Sequence, residues 1–109
     1  MKLHFYFLVL LQVFVFHSSL MANPANKNPD PTHADVAYGP GERNTLDFWQ
    51  APGEGLRPVY FFIHGGGWIN GDKSRVFRVQ DYLAKGISVA SINYRRTPTD
   101  ILPAPVHDA

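Results

Sequence analysis

Val59-Tyr60-Phe61-Phe62-Ile63-His64-Gly65-Gly66-Gly67-Trp68 is the stretch on which the reading of this sequence turns. Five apolar residues run unbroken into a histidine and three consecutive glycines. Apolar side chains at successive positions predict a strand covered on both faces, as in the parallel sheets of α/β proteins. The glycines that follow open backbone conformations closed to other residues and let another group approach the main chain closely. Bare N–H groups in such a turn can face a ligand oxygen, the arrangement that stabilises a developing oxyanion. The competing reading is a glycine-rich strand-to-helix turn with no chemistry.

Working outward, the downstream residues complete a crossover. Asn70-Gly71-Asp72-Lys73 is a turn signal, and Ser74 is a natural N-cap for a helix from Arg75 to about Lys85. Val76, Val79 and Leu83 give that helix one apolar face, and Gly86 sits where a helix commonly ends. Ile87 to Ile92 reads as a second buried strand, so strand, helix and strand form a βαβ unit. Thr97 to Pro105 is a proline-bearing loop, and Val106 to Ala109 looks like the start of a helix. Upstream, Asp35-Val36-Ala37-Tyr38 and the alternating Thr45-Leu46-Asp47-Phe48-Trp49 flank Gly39-Pro40-Gly41 and read as an antiparallel hairpin. The fold class is therefore α/β, with a hairpin followed by parallel strands.

Met1 to Ala22 reads as a secretory signal peptide. Lys2 supplies the positive start, and the twelve residues Phe5 to Phe16 are interrupted only by Gln12. That run is short of the roughly 20 residues that span a bilayer. The expectation is an exported protein, periplasmic or extracellular, with no stable membrane span after cleavage; the competing reading is a buried helix or an uncleaved anchor. Residues 23–34 hold three prolines and three asparagines and read as a flexible linker, poorly ordered unless docked. Residues 35–109 hold all the strand and helix patterns described above. With 45% hydrophobic and 17% charged residues and a formal charge of +1, nothing invokes nucleic acid. The absence of cysteine excludes thiol catalysis and thiolate metal sites.

From Asp35 onward the chain resembles the N-terminal part of α/β-hydrolase esterases and lipases, in the group of hormone-sensitive-lipase-like and acetyl- or feruloyl-esterase-like enzymes. The residues that carry the resemblance are Tyr38-Gly39, Leu46-Asp47-Phe48-Trp49, His64-Gly65-Gly66-Gly67-Trp68, Gly71-Asp72-Lys73-Ser74, Asn93-Tyr94-Arg95 and Pro103-Ala104-Pro105-Val106-His107-Asp108. Arg96 stands where the family usually has leucine. The resemblance implies a sheet order 1-2-4-3 and a serine hydrolase with an HGGG-type oxyanion loop. In it the backbone N–H groups of Gly66 and Gly67 are the donors. The implied Gly-x-Ser-x-Gly elbow and the acid and histidine that follow it are absent from this sequence, so the expectation is a contributor of the oxyanion-hole loop that is inactive alone.

Several residues invite other readings. His64 reads as a brace for the glycine loop rather than a catalytic base, because the family's base comes near the end of the full domain. Trp68 either borders the substrate cleft or packs in the core. Asp72 reads as a turn-stabilising carboxylate, since no second carboxylate or imidazole lies at metal-ligand spacing. Ser88 and Ser91 read as small residues in a packed strand, Arg95 and Asp108 as an ion pair, and His33 and His107 as surface residues. No cofactor and no metal are implied. The implied substrate is a small-molecule or carbohydrate-linked carboxylic ester. The alternatives are an arylformamidase-like amide hydrolase, against which Gly67 counts, and a catalytically inactive fragment or binding module.

Overall fold

The computed structural model describes residues 27–109. The leader read at residues 1–22 lies outside them. Four strands form one mixed sheet: β1 (His33–Ala37), β2 (Thr45–Trp49), β3 (Val59–Ile63) and β4 (Ser88–Ile92). Their order is β1-β2-β4-β3, as the resemblance implies. β1 pairs antiparallel with β2, β2 antiparallel with β4, and β4 parallel with β3. Two short helices follow β3 and β4: α1 (Val79–Ala84) and α2 (Ala104–Asp108).

β4 is buried along its whole length, because it lies inside the sheet and alternates small and branched residues on both faces. Trp49, Val76, Val79 and Val89 form the core, with Tyr60, Phe62, Tyr82 and Leu83 packed against it. Tyr60 stacks on Tyr82 with ring centroids 4.3 Å apart, which fastens β3 to α1. Each large apolar side chain withdrawn from water here contributes about 1.5–3 kcal/mol.

β3 departs from the expectation of cover on both faces. Tyr60 and Phe62 are partly buried beneath α1, while Val59, Phe61 and Ile63 stay exposed, because no described element lies over that side of the strand. The helix expected from Arg75 to Lys85 is also broken. Lys73–Arg75 is a single 3₁₀ turn, Val76 is extended, and Arg78 takes the left-handed region at φ +58° before α1 begins. The cause is a tertiary bond. Asn28 donates to Val76 O at 2.6 Å and accepts from Val79 N at 3.1 Å, taking backbone groups a continuous helix would pair internally. Ser74 is not the cap: Asp72 is, with its carboxylate accepting from Ser74 N at 2.9 Å.

The segment read as a flexible linker is docked where it is described. Besides Asn28, Pro29 O accepts from Trp49 Nε1 at 2.8 Å and Thr32 Oγ1 accepts from Gln50 N at 2.9 Å. The first strand accordingly starts at His33 rather than Asp35, and it ends before Tyr38. Lys73, read as part of a turn, is buried. Its ammonium lies 2.6 Å from Asp47 Oδ1 and 2.9 Å from Asp35 Oδ1, tying the turn after β3 to the hairpin.

Candidate oxyanion-loop site

The topology brings three connections to one edge of the sheet. β3 and β4 run parallel with Ile63 opposite Ile92, so the residues after each emerge side by side. β2 runs the other way, and Asn93 N donates to Thr45 O at 2.8 Å where β2 begins. The β1–β2 turn, the glycine loop and the segment Asn93 to Thr97 therefore meet at the carboxyl ends of the parallel strands. In open α/β sheets this is the end where ligands bind.

The three glycines are not equivalent. Gly65 has open space where a Cβ would lie. Gly66 has φ +133°, and a Cβ there would stand 2.1 Å from Asn70 O. Gly66 O accepts from Asn70 N at 3.0 Å and Ile69 N at 3.2 Å, closing a tight turn. Gly67 has φ +60°, and Trp68 continues in the same region at φ +65°. A bulky residue held there is strained, and such strain clusters at ligand-binding sites. Among the described residues the N–H groups of Gly66 and Gly67 donate to no protein acceptor.

Trp68 is partly exposed. It sets its edge against Tyr94 at 5.5 Å, and Trp68 O accepts from Thr97 N at 2.9 Å. The tryptophan therefore packs one edge on the core and leaves part of its surface exposed. His64 is 2% exposed. Its ring stacks on Tyr94 at 4.2 Å, and its carbonyl accepts from Tyr94 Oη at 2.7 Å. Nδ1 lies 3.0 Å from Gly65 O; a carbonyl only accepts, so Nδ1 carries the proton. Burial pulls the His64 pKa below its ordinary value, partly offset by the bond to Gly65. The neutral ring leaves Nε2 buried and without a partner among the described residues.

Asp72 caps the 3₁₀ turn and also accepts from Asn93 Nδ2 at 3.1 Å. Burial pushes its pKa up, but the bonds from Ser74 and Asn93 and the charge of Arg43 outweigh it and hold the carboxyl below its usual range. No group of three His, Asp or Glu side chains among the described residues is placed to hold a metal ion. Nor is any described helix long and apolar enough to cross a membrane.

The described serines are committed elsewhere or lie outside the loop. Ser88 Oγ accepts from Ala51 N at 2.9 Å and Ser91 Oγ donates to Lys73 O at 2.7 Å, both fully enclosed in β4. Ser74 sits in the 3₁₀ turn. Arg95 and Asp108 form the expected ion pair. The fork is bidentate, with Nη2 2.7 Å from Oδ1 and Nε 2.9 Å from Oδ2, and it anchors α2 to the end of β4. Two residues prove central: Gly71, read in the sequence only as part of a turn and of the resemblance, and Arg43, which the sequence did not single out. Gly71, at φ +109°, leaves room for His64, and Arg43 donates to Gly71 O at 3.2 Å.

A mixed sheet of this order, with a glycine-rich turn where its edge parallel strand ends, is part of an α/β-hydrolase domain. The chain belongs to the BD-FAE family, whose model matches residues 46–109. It is 37% identical over 76 residues to the isoprenylcysteine alpha-carbonyl methylesterase ICME of Arabidopsis thaliana, covering 68% of this chain and 18% of that protein. With the carboxylic ester hydrolase LipN of Mycobacterium tuberculosis it shares 35% identity over 87 residues, 71% of this chain and 22% of the relative. Esterase B from Lactobacillus rhamnosis superposes with a TM-score of 0.61 at 22% identity, over 75% of this chain and 29% of that structure. The chain thus spans about a fifth of the length of these two relatives.

Proposed function

We propose that this chain supplies the oxyanion-binding half of the active site of an exported carboxylic-ester hydrolase. The observation that carries the reading is the pair Gly66 and Gly67. Both have positive φ at the end of β3, and their N–H groups are left free by every described residue. An ester carbonyl placed over the loop would develop its negative charge against these donors as a nucleophile attacks. The serine nucleophile, acid and base lie outside this chain, and by the family's chain order they follow it. The names of the relatives, a methylesterase and a carboxylic ester hydrolase, support a carboxylic ester as substrate. Gly67 in the third glycine position supports ester over amide hydrolysis. Export rests on the leader-like residues 1–22.

His64 serves this scheme as a brace. Held neutral by burial and bonded through Nδ1 to Gly65 O, it fixes the loop's entry without exchanging protons with substrate. The test is Gly66→Pro in an intact enzyme carrying this chain. Proline removes the N–H and cannot adopt φ +133°. Turnover of a 4-nitrophenyl ester should fall by about 10²–10³ per lost donor, with KM changed far less. Wild-type turnover in that variant refutes the reading.

A further inference from the structure

Arg43 lies in the turn between β1 and β2 and takes no part in the scheme above. Its guanidinium nevertheless reaches two segments beside the glycine loop, Gly71-Asp72 and Asn93-Tyr94. Nε donates to Tyr94 O at 2.9 Å, and Nη2 donates to Asn93 Oδ1 at 3.0 Å and to Gly71 O at 3.2 Å. Nη1 stands 3.8 Å from Asp72 Oδ2. The side chain is only 24% exposed. A guanidinium so far removed from water is tolerated because its planar fork meets several acceptors at once, something an ammonium cannot do.

The acceptors matter because of what they touch. Tyr94 and Gly71 both pack against His64. The Tyr94 ring stacks on the imidazole and its hydroxyl holds the His64 carbonyl. Gly71 approaches so closely that a Cβ would lie 2.0 Å from His64 Nδ1 and 2.3 Å from Gly65 O. Arg43 bonds the carbonyls of both residues, and so ties together the two segments that pack on His64. Arg96 adds one bond to the same Gly71 carbonyl, at 3.0 Å, but none to Tyr94.

We propose that Arg43 is a positioning residue for the Gly66 and Gly67 donors, acting through Gly71 and Tyr94 by clamping together the two segments that pack on His64. The inference rests on the ester-hydrolase reading. A misplacement on the order of 1 Å in such an array costs about 10²-fold in rate. Since the array acts on the oxyanion, the loss should fall on kcat rather than on substrate affinity.

The experiment compares Arg43→Met, Arg43→Ala, Arg43→Lys and Arg96→Leu in an intact enzyme carrying this chain, with active sites counted by a phosphonate label. For Arg43→Met, kcat per labelled site should fall about 10²-fold with KM nearly unchanged. Affinity for a boronic acid, a tetrahedral analogue, should fall in step with kcat/KM. Arg43→Lys should recover little and Arg96→Leu should lose less, while added ethylguanidinium should restore part of the rate to Arg43→Ala. A residue that merely stabilised the fold would lower the number of labelled sites and the Tm and leave kcat per site intact, and that result overturns the proposal. Should the wild-type enzyme turn over no ester, the ester-hydrolase reading fails by itself. Amide exchange across residues 64–71 then decides the clamp: faster exchange in Arg43→Met supports it and unchanged exchange overturns it.

Discussion

Gly71 and His64 occupy adjoining space so tightly that a Cβ on the glycine would stand 2.0 Å from Nδ1 of the imidazole. The contact joins the turn that follows the glycine loop to the residue that opens it. Because Gly71 also has φ +109°, an added side chain meets both a strained backbone and an occupied volume.

Alanine substitutions should therefore rank the glycines by geometry. Gly65→Ala meets open space and should be tolerated within about 0.5 kcal/mol. Gly67→Ala, in the left-handed region with space around it, should cost about 1–2 kcal/mol. Gly66→Ala and Gly71→Ala combine strain of about 1–3 kcal/mol with overpacking of similar size. Urea denaturation of the four variants checks the order. Equal losses at Gly65 and Gly71 would show that the loop is not held as described.

Much of this arrangement was legible in the sequence, and the reasons for the remainder are physical. The unbroken run Val59 to Ile63 marked β3, Ile87 to Ile92 marked β4 to within one residue, and Gly39-Pro40-Gly41 marked the hairpin, because each is a local pattern. The Arg95–Asp108 pair was legible because two opposite charges flank apolar elements. Arg43 was not. Its partners lie 28, 50 and 51 residues away, and no local spacing records bonds of that range. The break before α1 was hidden for the same reason, since Asn28 bonds Val76 from 48 residues off. Lys73 reads in the sequence only as part of a turn, because its burial depends on Asp35 and Asp47, both on the hairpin.

Acid should release α2. Asp108 is held well below its ordinary value, from 3.8 to about 2, first by the bonded Arg95 side chain. A carboxyl with a depressed folded pKa gives stability that is fully present above the unfolded value and is lost as pH falls toward the folded one. The window runs from 3.8 down to about 2. Asp108→Asn should flatten the stability–pH curve there, measured as Tm against pH. An identical slope in the variant would show that this pair does not carry the linkage.

The open side of β3 should govern association of the isolated chain. Val59, Phe61 and Ile63 are 52%, 50% and 45% exposed on a strand that lies at the edge of the described sheet and carries neither charge nor proline. Such an edge is a template for pairing with another chain. Phe61→Lys should shift residues 23–109 toward monomer in sedimentation velocity. Association unchanged by the added charge would place the contact elsewhere.

The donor assignment is tested most directly by the structure of an intact enzyme carrying this chain after reaction with a phosphonate ester. The phosphoryl oxygen then occupies the place of the oxyanion. The account predicts that oxygen at about 2.7–3.1 Å from both Gly66 N and Gly67 N, with His64 Nδ1 still on Gly65 O. A phosphoryl oxygen bound by other donors, with Gly66 and Gly67 turned away from it, would contradict the account.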